Sequence, residues 1–176
     1  MRGILLGSLI ALALAPRLEG QTFTPESYRT YQLRQLEHQR KFLLAMADSM
    51  PEKLYRDRAA EGQRDFAQQI HHAADGAIFV ASKTMNVKPA ALPDTAAALN
   101  SREGLRRFVN AAFDQLDGWL KKQTPQLRAD TVDLFGQKMP RWQVWDEIQT
   151  HTVWTAGQAV ANFRKHGMAP PAFSFF

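Results

Sequence analysis

Proline sets the first limit on what this 176-residue chain can fold into. Its ring clashes inside a helix and it lacks an amide donor, so helices open at or just before a proline and stop ahead of one. Beyond the N-terminal region the prolines fall at positions 25, 51, 89, 93, 125, 140, 170 and 171. They leave four long proline-free segments: Glu26 to Met50, about Arg64 to Met85, about Arg102 to Gln123, and Pro140 or Arg141 to His166.

Each segment reads as an amphipathic helix of about 20 to 27 residues, or about 30 to 40 Å at 1.5 Å per residue. In the first, Tyr28, Tyr31 or Leu33, Leu36, Phe42 or Leu43, and Met46 or Met50 recur at steps of three and four. Thr24 is placed to cap it and Pro25 to fill its first position. Ser101 caps the third segment, and Gly167, followed by Pro170-Pro171, ends the fourth. Strand-like alternation is absent, and the connecting stretches 51–63, 86–100 and 124–139 are rich in Pro, Asp, Asn, Thr or Gly. The pattern predicts an all-α four-helix bundle formed by one domain, residues 21–176. Connectors of this length fit either neighbouring or crossover connections.

Residues 1–20 read as a segment outside the fold. Arg2 precedes an apolar run from Gly3 to Ala15, too short to span a bilayer and suited to the core of an export signal. The expected cut lies near Gly20, because cleavage after Ala15 would leave Pro16 at the new N-terminus. The mature protein is then expected in the periplasm or secreted, with no membrane span. The absence of Cys removes disulfides, thiolate nucleophiles and Cys-held zinc or iron–sulfur sites. The formal charge of +5 comes from Lys and Arg interleaved with acids and with no basic run, a solvated surface and not a nucleic-acid interface.

Polar chemistry concentrates on two segments. A helical wheel centred on Ile148 brings Val144, Trp145, His151, Thr152, Thr155, Ala159, Asn162 and Phe163 to one inward stripe, with Gln158 on its flank. In the second segment Phe66, Ile70, Ala73, Ala77 and Val80 form the apolar stripe. His72 lies on its flank, and His71 falls nearly opposite, where solvent is expected. Gly76 stands inside this helix at a cost of about 1 kcal/mol against Ala, and clearance beside His72 for a neighbouring helix, a ligand or a metal is one reason for it. His38 reads as exposed, and His166 as a cation at a helix C-terminus. Asp146 and Glu147 point away from the inner stripe, so no catalytic base is assigned. Trp142, Trp145 and Trp154 read as core or interface aromatics.

These residues carry a family likeness. Met50-Pro51-Glu52-Lys53-Leu54-Tyr55, then Arg64-Asp65-Phe66-Ala67-Gln68-Gln69-Ile70-His71-His72-Ala73-Ala74-Asp75, and finally His151-Thr152-Val153-Trp154-Thr155-Ala156-Gly157-Gln158 leading through Asn162-Phe163-Arg164-Lys165-His166-Gly167 to Pro170-Pro171 resemble the DinB superfamily. The resemblance implies a bundle of up-down-down-up topology, often a homodimer, carrying a divalent metal such as Zn or Ni on three His. One ligand comes from the second helix and two, four residues apart, from the fourth. The matching positions here are His72, His151 and Thr155, so the third ligand position holds a hydroxyl. Thr is a poor ligand beside imidazole, and reduced or lost metal affinity is expected.

The resemblance also implies two readings of function. One is a metal-dependent hydrolase or thiol transferase with its site at His72, His151 and Thr155, and with Gln158 and Asn162 orienting the ligand. The other is an exported, non-catalytic bundle that binds a ligand or dimerises after losing its metal chemistry.

Overall fold

The computed structural model describes residues 24–172. The expected export signal at residues 1–20 and the terminal Phe173-Ser174-Phe175-Phe176 lie outside the described residues. Four long helices dominate: α1 (Pro25–Ser49), α2 (Phe66–Met85), α4 (Arg102–Lys121) and α6 (Arg141–Gln158). Short helices α3 (Thr95–Asn100), α5 (Pro125–Ala129) and α7 (Val160–Lys165), a 3-10 turn at Glu52–Leu54, and strands β1 (Thr131–Leu134) and β2 (Gln137–Pro140) complete the chain.

The helix boundaries follow from local chemistry. The Thr24 hydroxyl accepts from the Ser27 amide at 3.0 Å while Ser27 Oγ accepts from the Thr24 amide at 2.9 Å, a reciprocal cap with Pro25 at the first helical position. Asp65 and Gln68 repeat the arrangement at α2, whose far end closes on Asn86 in the left-handed region at φ 51°. Ser101 caps α4 by accepting from the Gly104 amide. At the end of α7 the amides of Gly167 and Met168 donate to the carbonyls of Arg164 and Phe163, with Gly167 at φ +67° supplying the turn.

The long helices enclose one core. The alanine-rich face of α2, with Ala67, Ala73, Ala74, Ala77 and Ala81 all at zero exposure, packs most extensively on α6 and also against α4. Small side chains allow this double approach. The opposite side is closed by α1, which packs on α4 and α6 and touches α2 only lightly. Tyr55, Phe66, Phe108, Phe113 and Phe163 are fully buried or nearly so, and Tyr55 donates its hydroxyl to the Ala47 carbonyl at 2.8 Å.

Three features differ from expectation. The 124–139 connector contains a β-hairpin, so the fold is predominantly helical and not all-α. Its Phe135-Gly136 turn has φ values of 53° and 85°, the two positive angles of the hairpin turn that suits right-twisted strands. The fourth helix breaks at Ala159, where the amide of Ala159 bonds three residues back to Ala156 and that of Asn162 to Ala159. The inner face of α1 is also more polar than its periodicity indicated, with Gln32, Gln35 and Gln39 all buried among Leu36, Leu43 and Met46.

Candidate functional site

The α2–α6 contact brings His72 and His151 together, with ring centroids 5.3 Å apart and planes at 77°. Gly76 makes this possible. A Cβ at position 76 would lie 2.4 Å from His151 Cε1 and 2.9 Å from Nε2, so the space a methyl would occupy holds the His151 imidazole. The clearance therefore serves a side chain of the neighbouring helix. Both rings are half-buried, and burial lowers both imidazole pKa values. The positive charge of Arg64 acts in the same direction on each. Asp75 pulls His72 the other way, and burial prevails, so both rings are biased toward the neutral form.

Thr155, one turn after His151, is buried, and its Oγ1 stands 3.4 Å from His151 Nε2. Its carbonyl accepts from Gln69 Nε2 at 2.8 Å, which fixes the backbone there to α2. The three family-matched positions thus lie side by side. The other two candidates do not join them through any hydrogen bond: Gln158 is exposed, and Asn162, though buried, donates its amide to the Asp57 carbonyl at 2.9 Å. Asn162 anchors α7 to the loop after the 3-10 turn.

The donor set fits a divalent transition metal poorly. Two imidazoles and a neutral hydroxyl lack both the third strong nitrogen donor and any anionic ligand. Among the described residues no group of three or more His, Asp or Glu is placed to hold a metal. His151 Nδ1 is buried without a hydrogen-bond partner and its Nε2 has only the Thr155 hydroxyl at 3.4 Å, so neither a carboxylate nor a backbone carbonyl orients the ring as is usual for a metal-bound His. A cation would also meet the positive field of Arg64.

His71 lies elsewhere than in solvent. Its ring stacks on Phe108 of α4 with centroids 3.9 Å apart, its Nε2 is buried without a partner, and burial lowers its pKa. The wheel placed it opposite one stripe, but α2 sits between two neighbours and has two covered faces. A shallow cavity of about 230 Å³ beside it is lined by Arg64, Gln68, His71, His72 and Leu99. Arg64 and Gln68 were not singled out from the sequence; the signal for Gln68 is its one-turn spacing from His71 and His72 along α2, and Arg64 lies just before the cap of that helix.

His166 is half-buried, with Nε2 2.5 Å from Asp57 Oδ2, while Lys165 Nζ reaches Asp57 Oδ1 at 3.0 Å. Lys165 first, then His166, hold the Asp57 carboxyl below the usual carboxylate range. Trp145 is core, donating to Gln123 Oε1 at 3.1 Å, whereas Trp154 is 74% exposed. His38 is half-buried and not exposed as expected.

The fold has a counterpart among solved structures. A DinB-like protein from Bacillus cereus superposes with a TM-score of 0.63 at 18% identity, over 81% of this chain and 95% of that one. No family model matches the chain, and no curated protein matches it. The likeness establishes a DinB-like fold.

Proposed function

We propose that this is an exported DinB-like four-helix bundle that keeps the fold and two of three metal-site positions but acts by binding and not by metal catalysis. The carrying observation is the donor set: His72 and His151 face one another, and the third position is the buried hydroxyl of Thr155. A zinc or nickel centre that activates water or a thiol needs at least three firm ligands plus an open position. Asp146, a carboxylate ahead of His151 on α6, is held in hydrogen bonds from Tyr28 and Gln32 and is not free to act as a general base. The pairing of α1 with α4 and α6, and of α2 with the same two helices, supports a bundle of up-down-down-up connectivity. Export rests on the apolar run from Gly3 to Ala15 behind Arg2.

A second reading, a metal-dependent hydrolase or thiol transferase with weak Zn or Ni affinity, draws on the 5.3 Å approach of the two rings. Cobalt(II) absorption separates the two. The binding reading expects no saturable visible band for the wild-type protein and a one-per-chain band for Thr155→His. A one-per-chain band in the wild type that His72→Ala removes would establish the enzyme site. No band in a folded Thr155→His would refute the claim that position 155 is what the site lacks.

A further inference from the structure

A second site lies about 13 Å along α6 from His151, at 1.5 Å of rise per residue between Trp142 and that histidine. Here the N-terminal ends of α1, α5 and α6 meet around a cavity of about 320 Å³ lined by Pro25, Tyr28, Pro125, Arg128, Ala129 and Trp142. Its volume is at the low end for small-molecule sites, and its walls are almost wholly apolar. The Tyr28 and Trp142 rings meet edge to face at 5.6 Å, forming a rigid aromatic corner.

Arg128 is the exception in this wall. It is 3% exposed, an uncommon degree of burial for a guanidinium. One of its nitrogens, Nη2, donates to Gln32 Oε1 at 2.7 Å. Gln32 in turn donates to Asp146 Oδ1 and to the Trp142 carbonyl, each at 2.8 Å, and Tyr28 donates its hydroxyl to Asp146 Oδ2. Arg29 is committed to Glu26 and to the carbonyls of Lys121 and Gln123. Through this chain the amide of Gln32 and the carboxylate of Asp146 are engaged, while Arg128 Nη1 is buried with no partner. An unpaired buried cationic donor is costly, and costs of this kind are retained where a ligand relieves them. Burial first, then the charge of Arg29, pull the Arg128 pKa down, the direction an incoming anion reverses.

We propose that this cavity binds a small aromatic carboxylate, its ring against Trp142 between Pro25 and Pro125 and its carboxylate paired with the Arg128 guanidinium, a small rotation of which brings the unpartnered Nη1 to the cavity wall. The inference deepens the binding reading by naming a ligand class. It is tested apart from the histidine pair, because metal uptake reports on His72 and His151 while ligand titration reports on this cavity.

The test is calorimetric titration of the mature protein with naphthalene-2-carboxylate and with the uncharged naphthalene-2-carboxamide, with melting curves to establish folding. The wild-type protein is expected to bind the acid saturably, one per chain, at least about tenfold more tightly than the amide, as a charge-assisted hydrogen bond provides. Arg128→Met is expected to weaken the acid about tenfold and bring the two ligands level. Ala129→Phe, at an exposed position on the cavity rim, is expected to abolish binding while leaving the protein folded. Failure of the wild type to bind, equal affinity for acid and amide, or binding that survives Ala129→Phe each overturns the proposal.

Discussion

Replacing Gly76 by Ala sets two opposing effects against each other at one atom. Removing glycine from a helix interior stabilises by about 1 kcal/mol through lower backbone entropy in the unfolded chain. The added methyl, however, would lie 2.4 Å from His151 Cε1. Ordinary carbon contacts are about 3.5 to 4.0 Å, so the overlap is about 1 Å and the imidazole must shift. Overpacking of this kind costs about 1 to 3 kcal/mol. Gly76→Ala in the wild-type background is therefore expected to be neutral to destabilising, by about 0 to 2 kcal/mol. In a His151→Ala background the clash is gone, and the same substitution is expected to stabilise by about 1 kcal/mol. Urea denaturation of the four proteins closes a double-mutant cycle whose coupling energy is about 1 to 3 kcal/mol. In melting temperature each kcal/mol is about 2 to 4 °C for a domain of this size. Equal stabilisation by Gly76→Ala in both backgrounds would refute the claim that Gly76 exists to admit the His151 ring.

The half-buried histidines make stability depend on pH. The folded-state pKa values of His71, His72 and His151 lie below the 6.5 of the free side chain, mainly through burial, so the unfolded chain takes up protons first. Stability is complete above about pH 6.5 and falls as pH drops through the folded-state values; melting curves from pH 7.5 to 5 should show the loss, and His71→Gln should reduce it. Asp57 acts in a lower window: held below its usual value by Lys165 and His166, it contributes stability present above about pH 4 that is lost on further acidification. Asp57→Asn should flatten that acid limb in the same melting series. Asp65→Ala removes both the α2 cap and the acceptor for Arg56 Nε at 2.8 Å from a carboxylate that is 1% exposed. Its expected cost in urea denaturation is about 2 kcal/mol, against about 1 kcal/mol or less for Thr24→Ala at an exposed cap.

The long helices were legible because their boundaries are written in local chemistry. Thr24-Pro25, Ser101 and Gly167 each act within a few residues of themselves, and the structure uses them as expected. The inward stripe of α6, from Val144 to Ile148, Thr152 and Thr155, was legible for the same reason. The hairpin was not: strands of four residues are too short to show alternation, and only Phe135-Gly136 signalled the turn. His71 was placed in solvent because a wheel with a single stripe has no second neighbour, whereas Phe108 of α4 covers that face. The reason for Gly76 was legible in kind but not in object, since identifying the imidazole that fills its space requires the α2–α6 register. Arg128 and Gln32 carried no signal at all. Their pairing spans 96 positions and depends on how α5 folds back on α1.

The central claim, a metal site reduced to two imidazoles, is tested most directly by elemental analysis of the mature protein from Gln21, purified without a His tag and after equilibration with Zn²⁺ or Ni²⁺ and gel filtration. The account predicts well under one metal per chain, with no difference between the wild type and the His72→Ala and His151→Ala variants. One metal per chain in the wild type, lost in both variants, would contradict it and restore the metal-dependent enzyme.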